Sequence, residues 1–263
     1  MSGLTGKQYA VDPPSRETAA TLREEQTVSE AVNSVVAALQ KLNSAFAWMA
    51  ASLGLVSPQA LWGGSLDSLA GRQLKWVYPA TADDDEFLKR ATLASTLVFE
   101  ALEPKLLRNL LDTIGQGLHL NSENPPRSLG SRNLLQRLTL VALLIGDLRP
   151  KFEEIPMLVN QAEGKLADTS DPDLKDELAR LNQRIRDDFA PLALLYDLRI
   201  SGGLTHAPNK TKTSIALARL CLPKENWHRT HHLQLLNLVV DSVRRISAHL
   251  DTAAYELEMQ EGR

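Results

Sequence analysis

Almost every long segment of this chain carries its apolar residues at the three- and four-residue spacing of an α-helix. The clearest stretches are residues 28–52, residues 131–148 and the long final stretch at residues 230–257. No segment shows the alternation of a half-buried strand, and an aromatic content of only 5% also disfavours a sheet. We therefore predict an all-α protein, built as a helical bundle.

Shorter helices are predicted between these three. The acidic run at residues 83–86 is expected to start a helix that reaches residue 102, because acidic side chains stabilise the positive end of a helix dipole. Further helices are predicted over residues 104–115, 152–166 and 173–190. Proline interrupts helical hydrogen bonding, so Pro191 is expected to kink or restart the last of these.

Three polar or proline-containing segments divide the chain. The first 25 residues or so contain Pro13-Pro14 and few apolar positions, and we expect a loose arm there. The charge-free residues 42–66 are too polar for a membrane span and are interpreted as two buried helices that meet at Ser57-Pro58. Residues 115–130 are rich in Asn, Pro, Ser and Gly and favour a linker. The expected units are therefore an N-terminal helical region of unknown role at residues 1–120 and a second helical domain at residues 131–263.

Charge and cysteine content exclude several classes of protein. The 29 Lys and Arg residues nearly balance the 32 Asp and Glu residues, and a net charge of -3 excludes a polybasic protein that coats nucleic acid. The single cysteine, Cys221, excludes a disulfide framework and a multi-cysteine zinc module. The residues that follow Met1 lack the basic and apolar regions of a secretory signal, so we expect a cytoplasmic protein without membrane association.

One segment carries side chains suited to cutting RNA. Arg199 follows an apolar helical stretch, Gly202 and Gly203 interrupt that stretch, and His206 comes soon afterwards. An arginine fork matches phosphate oxygens, and a histidine transfers protons near neutral pH. The two together can hold the phosphate of an RNA chain, take the proton of the 2′-OH and protonate the leaving oxygen without a metal ion. The glycines allow the chain to fold back and bring His206 towards Arg199.

The surroundings of this segment are basic. Between residues 204 and 233 five basic residues stand against Glu225, a local charge of +4, and four of the six histidines lie in the same stretch. Such a patch is suited to positioning an RNA backbone, although a solvated loop explains the individual lysines equally well. The candidate RNA-binding residues are the neighbours of the Arg/His pair, namely Asp197, Thr205, Asn209, Lys210 and Lys212.

Leu198-Arg199, the glycine-containing interval and His206 resemble the motif of the HEPN superfamily, in particular the variant found in abortive-infection HEPN proteins. The resemblance covers this motif and its helical setting in the second half of the chain. It implies metal-independent endoribonuclease activity with Arg199 and His206 as the catalytic residues, acting in antiphage defence or as a toxin. It also implies a homodimer in which two Arg/His pairs face one cleft, and a regulatory protein partner is left open.

The sequence departs from this family at the residue after the arginine. Many active members have Asn, Asp or His there, whereas this chain has Ile200. One alternative is therefore a non-catalytic helical interaction or RNA-binding module, in which Arg199 pairs with Asp197 or Asp188. A second Arg/His match, Arg244 to His249, lies inside the predicted last helix, where the two residues fall roughly 140° apart, and we interpret it as a solvated face.

Other chemistry-bearing residues were weighed against simpler roles. His228 and His232 have the spacing of two metal ligands on one helical face, but no nearby carboxylate or second cysteine completes a set, so no metal site is predicted. Trp227 is interpreted as a core residue at a helix start rather than a base-stacking residue. No phosphate-binding loop or dinucleotide-binding glycine pattern is present, and no cofactor is predicted.

Overall fold

The computed structural model describes residues 16–55, 60–65, 67–76, 84–115, 130–163, 171–202, 210–224 and 226–261. Its side chains are described from residue 27 onward, except at residues 201–202, 210–213 and 261. Within these ranges the chain forms nine α-helices and no β-strand, which confirms the predicted all-α fold. None of the helices in the described ranges is both long enough and apolar enough to cross a membrane.

The helices vary in length from six to 36 residues. A π-helix at Thr96–Glu100 follows the third of them directly, and a 3₁₀ turn at Phe152–Glu154 precedes the sixth. The nine α-helices in chain order are α1 (Arg16–Ala51), α2 (Leu69–Leu74), α3 (Asp84–Ser95), α4 (Pro104–Thr113), α5 (Ser131–Leu148), α6 (Ile155–Ala162), α7 (Pro172–Gly202), α8 (Lys210–Arg219) and α9 (Arg229–Glu261).

Helices with clear chemical start signals were predicted well. Helix α5 has the predicted bounds, α9 begins one residue before its predicted start, and α3 begins at Asp84 within the acidic run. Helix α1, however, begins at Arg16, so the expected loose arm was wrong for residues 16–25. That segment is rich in Glu, Arg, Ala and Leu, which are strong helix formers even without an apolar face.

The predicted second helix after Ser57-Pro58 was also wrong for the described residues. Ser57 and Pro58 lie outside the description, and residues 60–65 are not helical. Instead Trp62 forms an isolated antiparallel bridge with Leu102. The backbone N–H of Trp62 donates to the Asn43 side-chain oxygen at 2.6 Å, and the Asn43 side-chain amide donates to the Trp62 carbonyl at 2.9 Å. The following Gly63-Gly64 pair disfavours a helix, so these tertiary hydrogen bonds decide the local conformation.

Two features near the candidate site differ from expectation. Helix α7 does not restart at Pro191 but continues through it, since Phe189, Leu192 and other flanking residues are buried and their packing offsets the lost backbone hydrogen bond. The alternative of a kink at Pro191 stays a prediction. Residues 210–219, which were not predicted to be helical, form α8. Both differences reflect packing against neighbouring helices, which residue spacing alone does not report.

A single buried apolar cluster includes residues from all nine α-helices. Helices α1 and α9 are parallel neighbours, since the Trp48 indole near the end of α1 donates to Glu258 near the end of α9, at 2.6 Å. Helix α3 packs on α7. Helices from both sides of the predicted linker therefore share one core, while residues 116–129 of that linker lie outside the description. The apolar face of α9 is buried in this core, and Tyr255 and Met259 remain exposed near its end.

Helix α5 lies antiparallel to α7. Arg132 at the start of α5 contacts Asp197 near the end of α7, and Asp147 at the end of α5 pairs with Arg184, at 3.7 and 2.7 Å respectively. This arrangement brings the start of α5, the end of α7 and the π-helix after α3 to one region of the molecule. The predicted catalytic arginine lies in that region.

Candidate functional site

Arg199 lies in the last turn of α7, three residues before the helix ends at Gly202. Its guanidinium forms an ion pair with the carboxylate of Glu100, and about a third of its side chain (34%) remains exposed. Its partner is therefore neither Asp197 nor Asp188, the two acids considered from the sequence. Helix α7 is described as far as Gly202 and Gly203 lies outside the described residues, so the predicted break at the Gly202-Gly203 pair stays a prediction.

Glu100 is positioned by the π-helix at Thr96–Glu100. The three residues before it, Leu97, Val98 and Phe99, are buried, and Glu100 itself is exposed. The indole N–H of Trp62 donates to the Leu97 carbonyl at 2.8 Å, and this hydrogen bond holds the π-helix against the segment before α2. π-helices are rare and frequently occur at functional sites. Glu100 was not identified as a site residue from the sequence, because the spacing of apolar residues there predicts an ordinary α-helix.

A second pair of opposite charges lies beside the first. Asp197 contacts Arg132 of α5 at 3.7 Å, and the Arg132 guanidinium lies over the ring of Tyr196, 4.8 Å from its centroid. Tyr196 in turn makes an edge contact with Phe99 of the π-helix, with centroids 6.0 Å apart. We call Arg199, Glu100, Arg132, Asp197 and Tyr196 the arginine cluster.

Three predicted site residues, Thr205, His206 and Asn209, lie outside the described residues. Lys210 and Lys212 belong to the first turn of α8, and their side chains are not described. The pairing of His206 with Arg199 therefore stays a prediction.

The second Arg/His match has a structural role. His249 is buried, so its assignment to a solvated face was wrong, whereas Arg244 is exposed as expected. The His249 Nε2 atom lies 2.8 Å from a carboxylate oxygen of Asp188, and Arg245 Nε lies 2.7 Å from the other oxygen. Ser242 also donates a hydrogen bond to the Asp188 carbonyl. We call these residues the Asp188 cluster, which joins α7 to α9 inside the molecule.

The core assignment of Trp227 is confirmed. Its ring stacks on Phe87 with centroids 4.7 Å apart, its indole donates to the Pro223 carbonyl, and its backbone N–H donates to Asp84 at 2.8 Å. Only 9% of Trp227 is exposed, which leaves no face for a nucleobase. The residue fixes the start of α9 against the start of α3.

The histidines next to Trp227 face different environments. His228 is exposed, and its backbone N–H donates to Nδ1 of His231, whose pKa is lowered by burial and by the neighbouring His228. His232 is fully buried, and burial together with the Arg90 cation lowers its pKa to about 3. His228 and His232 therefore do not share a face, and among the described residues no three potential ligands are grouped to hold a metal ion.

Comparison with known proteins returns no family model that matches this chain, and no curated protein or solved structure that is significantly similar to it. The assignment of a function therefore depends on the residues of the chain itself.

Proposed function

We propose that this protein is a metal-independent endoribonuclease of the HEPN type, with Arg199 and His206 as its catalytic residues. The observation that supports the proposal best is the placement of Arg199 in the last turn of α7. Its guanidinium is partly exposed, and the chain continues directly into the segment that contains His206. The guanidinium of an arginine held at a helix end in this way can donate hydrogen bonds to a phosphate oxygen without movement of the backbone.

The protein has to transfer protons in this reaction and to stabilise the charge that develops on the phosphate. His206 accepts the proton of the 2′-OH as that oxygen attacks the phosphorus, and the bond from phosphorus to the 5′ oxygen breaks. A protonated histidine, either this one or its copy across a dimer, returns a proton to the leaving oxygen. Arg199 stabilises the additional negative charge that develops on the phosphate oxygens. The products are a 2′,3′-cyclic phosphate and a 5′-hydroxyl end.

Glu100 has a definite role in this account. It holds Arg199 in the absence of RNA, so the side chain is oriented before substrate arrives. A phosphate that binds Arg199 competes with this carboxylate, and the pair between partly exposed groups is weak enough to be exchanged. Asp197 and Arg132 are the second pair of charges beside the reacting phosphate, and Thr205, Asn209, Lys210 and Lys212 are the proposed contacts of the flanking RNA.

The biological setting follows from the resemblance of the motif. We place the enzyme in the cytoplasm, as an antiphage effector or a toxin that acts as a homodimer on RNA. The apolar face of α9 is used within the chain, so a dimer that aligns two Arg/His pairs brings together the ends of α7 instead. A regulatory protein partner is compatible with this arrangement.

A non-catalytic helical interaction or RNA-binding module is the second candidate. Two observations favour it: Ile200 stands where active members of the family have a polar residue, and Arg199 already has an acidic partner in Glu100. Incubation of the purified protein with single-stranded RNA in EDTA separates the two candidates. Fragments ending in 2′,3′-cyclic phosphate support the nuclease, and intact RNA in the presence of folded protein supports the module.

A further inference from the structure

A cavity of about 270 Å³ lies between α5, α7 and α8, on a different side of α7 from the Arg199–Glu100 pair. Its apolar lining includes Ala190 and Ala193 of α7, which lie over the buried Phe189, and its polar lining includes Arg186, Arg219 and Gln136. Ile215 of α8 lines the same cavity and is 62% exposed, although it is a large apolar residue. We call this cavity the α7–α8 pocket.

The lining of the pocket suits a nucleobase. The small, partly exposed side chains of Ala190, Ala193 and Ala216 leave space for a base, and Ile215 extends the apolar surface towards solvent. Nucleobases bind such surfaces in a sequence-tolerant way, because every base has an apolar face. The Gln136 amide supplies both a donor and an acceptor for the polar edge of a base.

The charges of the polar lining suit a phosphate. Arg186 is exposed, and no acid among the described residues forms an ion pair with it. Arg219 forms an ion pair with Asp187, so the two arginines and this acid give the polar lining a net positive charge. Guanidinium groups bind phosphate oxygens through two parallel hydrogen bonds, and an exposed arginine beside an apolar lining is suited to one nucleotide.

The pocket is also placed beside the proposed active site. Ala193 in its lining precedes Arg199 by six residues, which corresponds to roughly 9 Å along the α7 axis. Helix α8, which forms the other wall, begins at Lys210, just after the segment that contains His206. The same six-residue spacing places Ala193 roughly 120° around the helix from Arg199, so an RNA strand that occupies both places winds partly around α7.

We propose that the α7–α8 pocket binds one nucleotide of single-stranded RNA near the cleavage point, with the base against Ala193 and Ile215 and a phosphate on Arg186. The assignment of RNA as the ligand rests on the proposed function. The binding of the nucleotide, however, does not require cleavage, and the two are tested separately.

The test measures RNA affinity by fluorescence anisotropy, with a short fluorescein-labelled single-stranded RNA of mixed sequence in EDTA. The full chain with His206→Ala is the parent, so that cleavage does not consume the probe. Arg186→Gln removes the phosphate contact, and Ala193→Trp fills the space for the base. The matched control is Arg180→Gln, which removes an exposed arginine of α7 that pairs with Glu177 and does not line the pocket.

We expect Arg186→Gln and Ala193→Trp each to weaken RNA binding roughly 5- to 150-fold, the range for loss of one stacked base or one charged hydrogen bond. Arg186→Gln is also expected to lower the slope of log affinity against log salt by about 0.7, the value for one phosphate of a single strand. Arg180→Gln is expected to bind RNA as the parent does. Circular dichroism checks the folding of each variant. If Ala193→Trp does not fold, Arg186→Gln alone is sufficient for the test, because Arg186 is exposed.

Parent-like affinity and an unchanged salt slope in Arg186→Gln overturn the proposed pocket, as does an absence of RNA binding by the parent. The pocket and the nuclease fail in different ways. Wild-type protein that binds RNA through Arg186 but does not cut it contradicts the nuclease and supports the pocket. If the wild type cuts RNA and the Arg186→Gln and Ala193→Trp variants bind and cut it equally well, the result supports the nuclease and contradicts the pocket.

Discussion

Arg199 of α7 and Glu100 of the π-helix form an ion pair between residues that are far apart in the sequence. The pair links the end of α7 to the N-terminal half of the chain, to which the motif resemblance assigned no role. Through Glu100, residues outside the motif orient the proposed phosphate-binding arginine. The first half of the protein therefore contributes to the candidate site, and the first three of the following predictions address this pair and the other contacts that position α7.

Replacement of Glu100 by glutamine is expected to strengthen RNA binding. Glu100→Gln removes the negative charge that competes with phosphate for Arg199, and exposed ion pairs contribute about 0.2–1 kcal/mol, so affinity should rise roughly two- to five-fold. Anisotropy titrations with single-stranded RNA measure the change. The control Asp112→Asn removes an exposed acid of α4 and should change affinity less. Weaker binding by Glu100→Gln would show that the carboxylate supports the site instead of competing with phosphate.

A methyl group added at Gly64 is expected to disturb the π-helix. The Cβ of Gly64→Ala overlaps the Trp62 indole, whose N–H holds the Leu97 carbonyl, so the ring must shift. We expect the free energy of unfolding to fall by about 1–3 kcal/mol, as for other overpacked sites. The neighbouring Gly63→Ala is a matched control, because its Cβ meets no atom within 4 Å. Urea unfolding of both variants checks the prediction, and equal stabilities would contradict it.

The Asp188 cluster is expected to stabilise the packing of α7 on α9. Asp188→Ala leaves His249 and Arg245 without their shared carboxylate, and loss of such charged hydrogen bonds should lower the free energy of unfolding by about 2–3 kcal/mol. Asp187→Ala, one residue earlier, breaks the exposed pair with Arg219 and an exposed hydrogen bond from the Gln183 amide, and should cost less than about 1 kcal/mol. Denaturant titrations compare the two, and a larger loss in Asp187→Ala would refute this role.

Buried His232 is expected to make the fold sensitive to acid. Its pKa is about 3 in the folded protein, below its ordinary value of about 6.5, so between these values the unfolded chain binds a proton more readily. Stability is therefore fully present above pH of about 6.5 and falls as pH decreases towards 3, by up to about 1.4 kcal/mol per pH unit.

His232→Leu removes this titration and should flatten the dependence of stability on pH. The comparison uses urea unfolding at several pH values between about 7 and about 4. His228→Gln changes an exposed histidine and should retain the wild-type slope. If His232→Leu loses stability with acid as steeply as the wild type, burial of this imidazole is not the cause.

The sequence predicted those features that depend on neighbouring residues along the chain. The bounds of α5 and the start of α3 at its acidic run follow from local propensity and charge. The core position of Trp227 was likewise anticipated from its place before α9.

Features that depend on distant contacts could not be predicted in this way. The extra residue of the π-helix has no signature in the spacing of apolar residues, and the partner of Arg199 lies 99 residues away along the chain. Continuous helix through Pro191 and the burial of His249 against Asp188 also depend on packing between helices. Local patterns therefore located the candidate arginine but not the side chains that hold it.

The central claim is that Arg199 and His206 together cleave RNA without a metal ion. The most direct measurement is the rate at which wild-type protein, Arg199→Ala, His206→Ala and the control Arg244→Ala cut labelled single-stranded RNA in EDTA. Arg244 belongs to the other Arg/His match and is exposed. We predict wild-type rates for Arg244→Ala and losses of at least roughly 100-fold for the other two variants. Absence of cleavage by folded wild-type protein, or undiminished cleavage by His206→Ala, would contradict the proposed function.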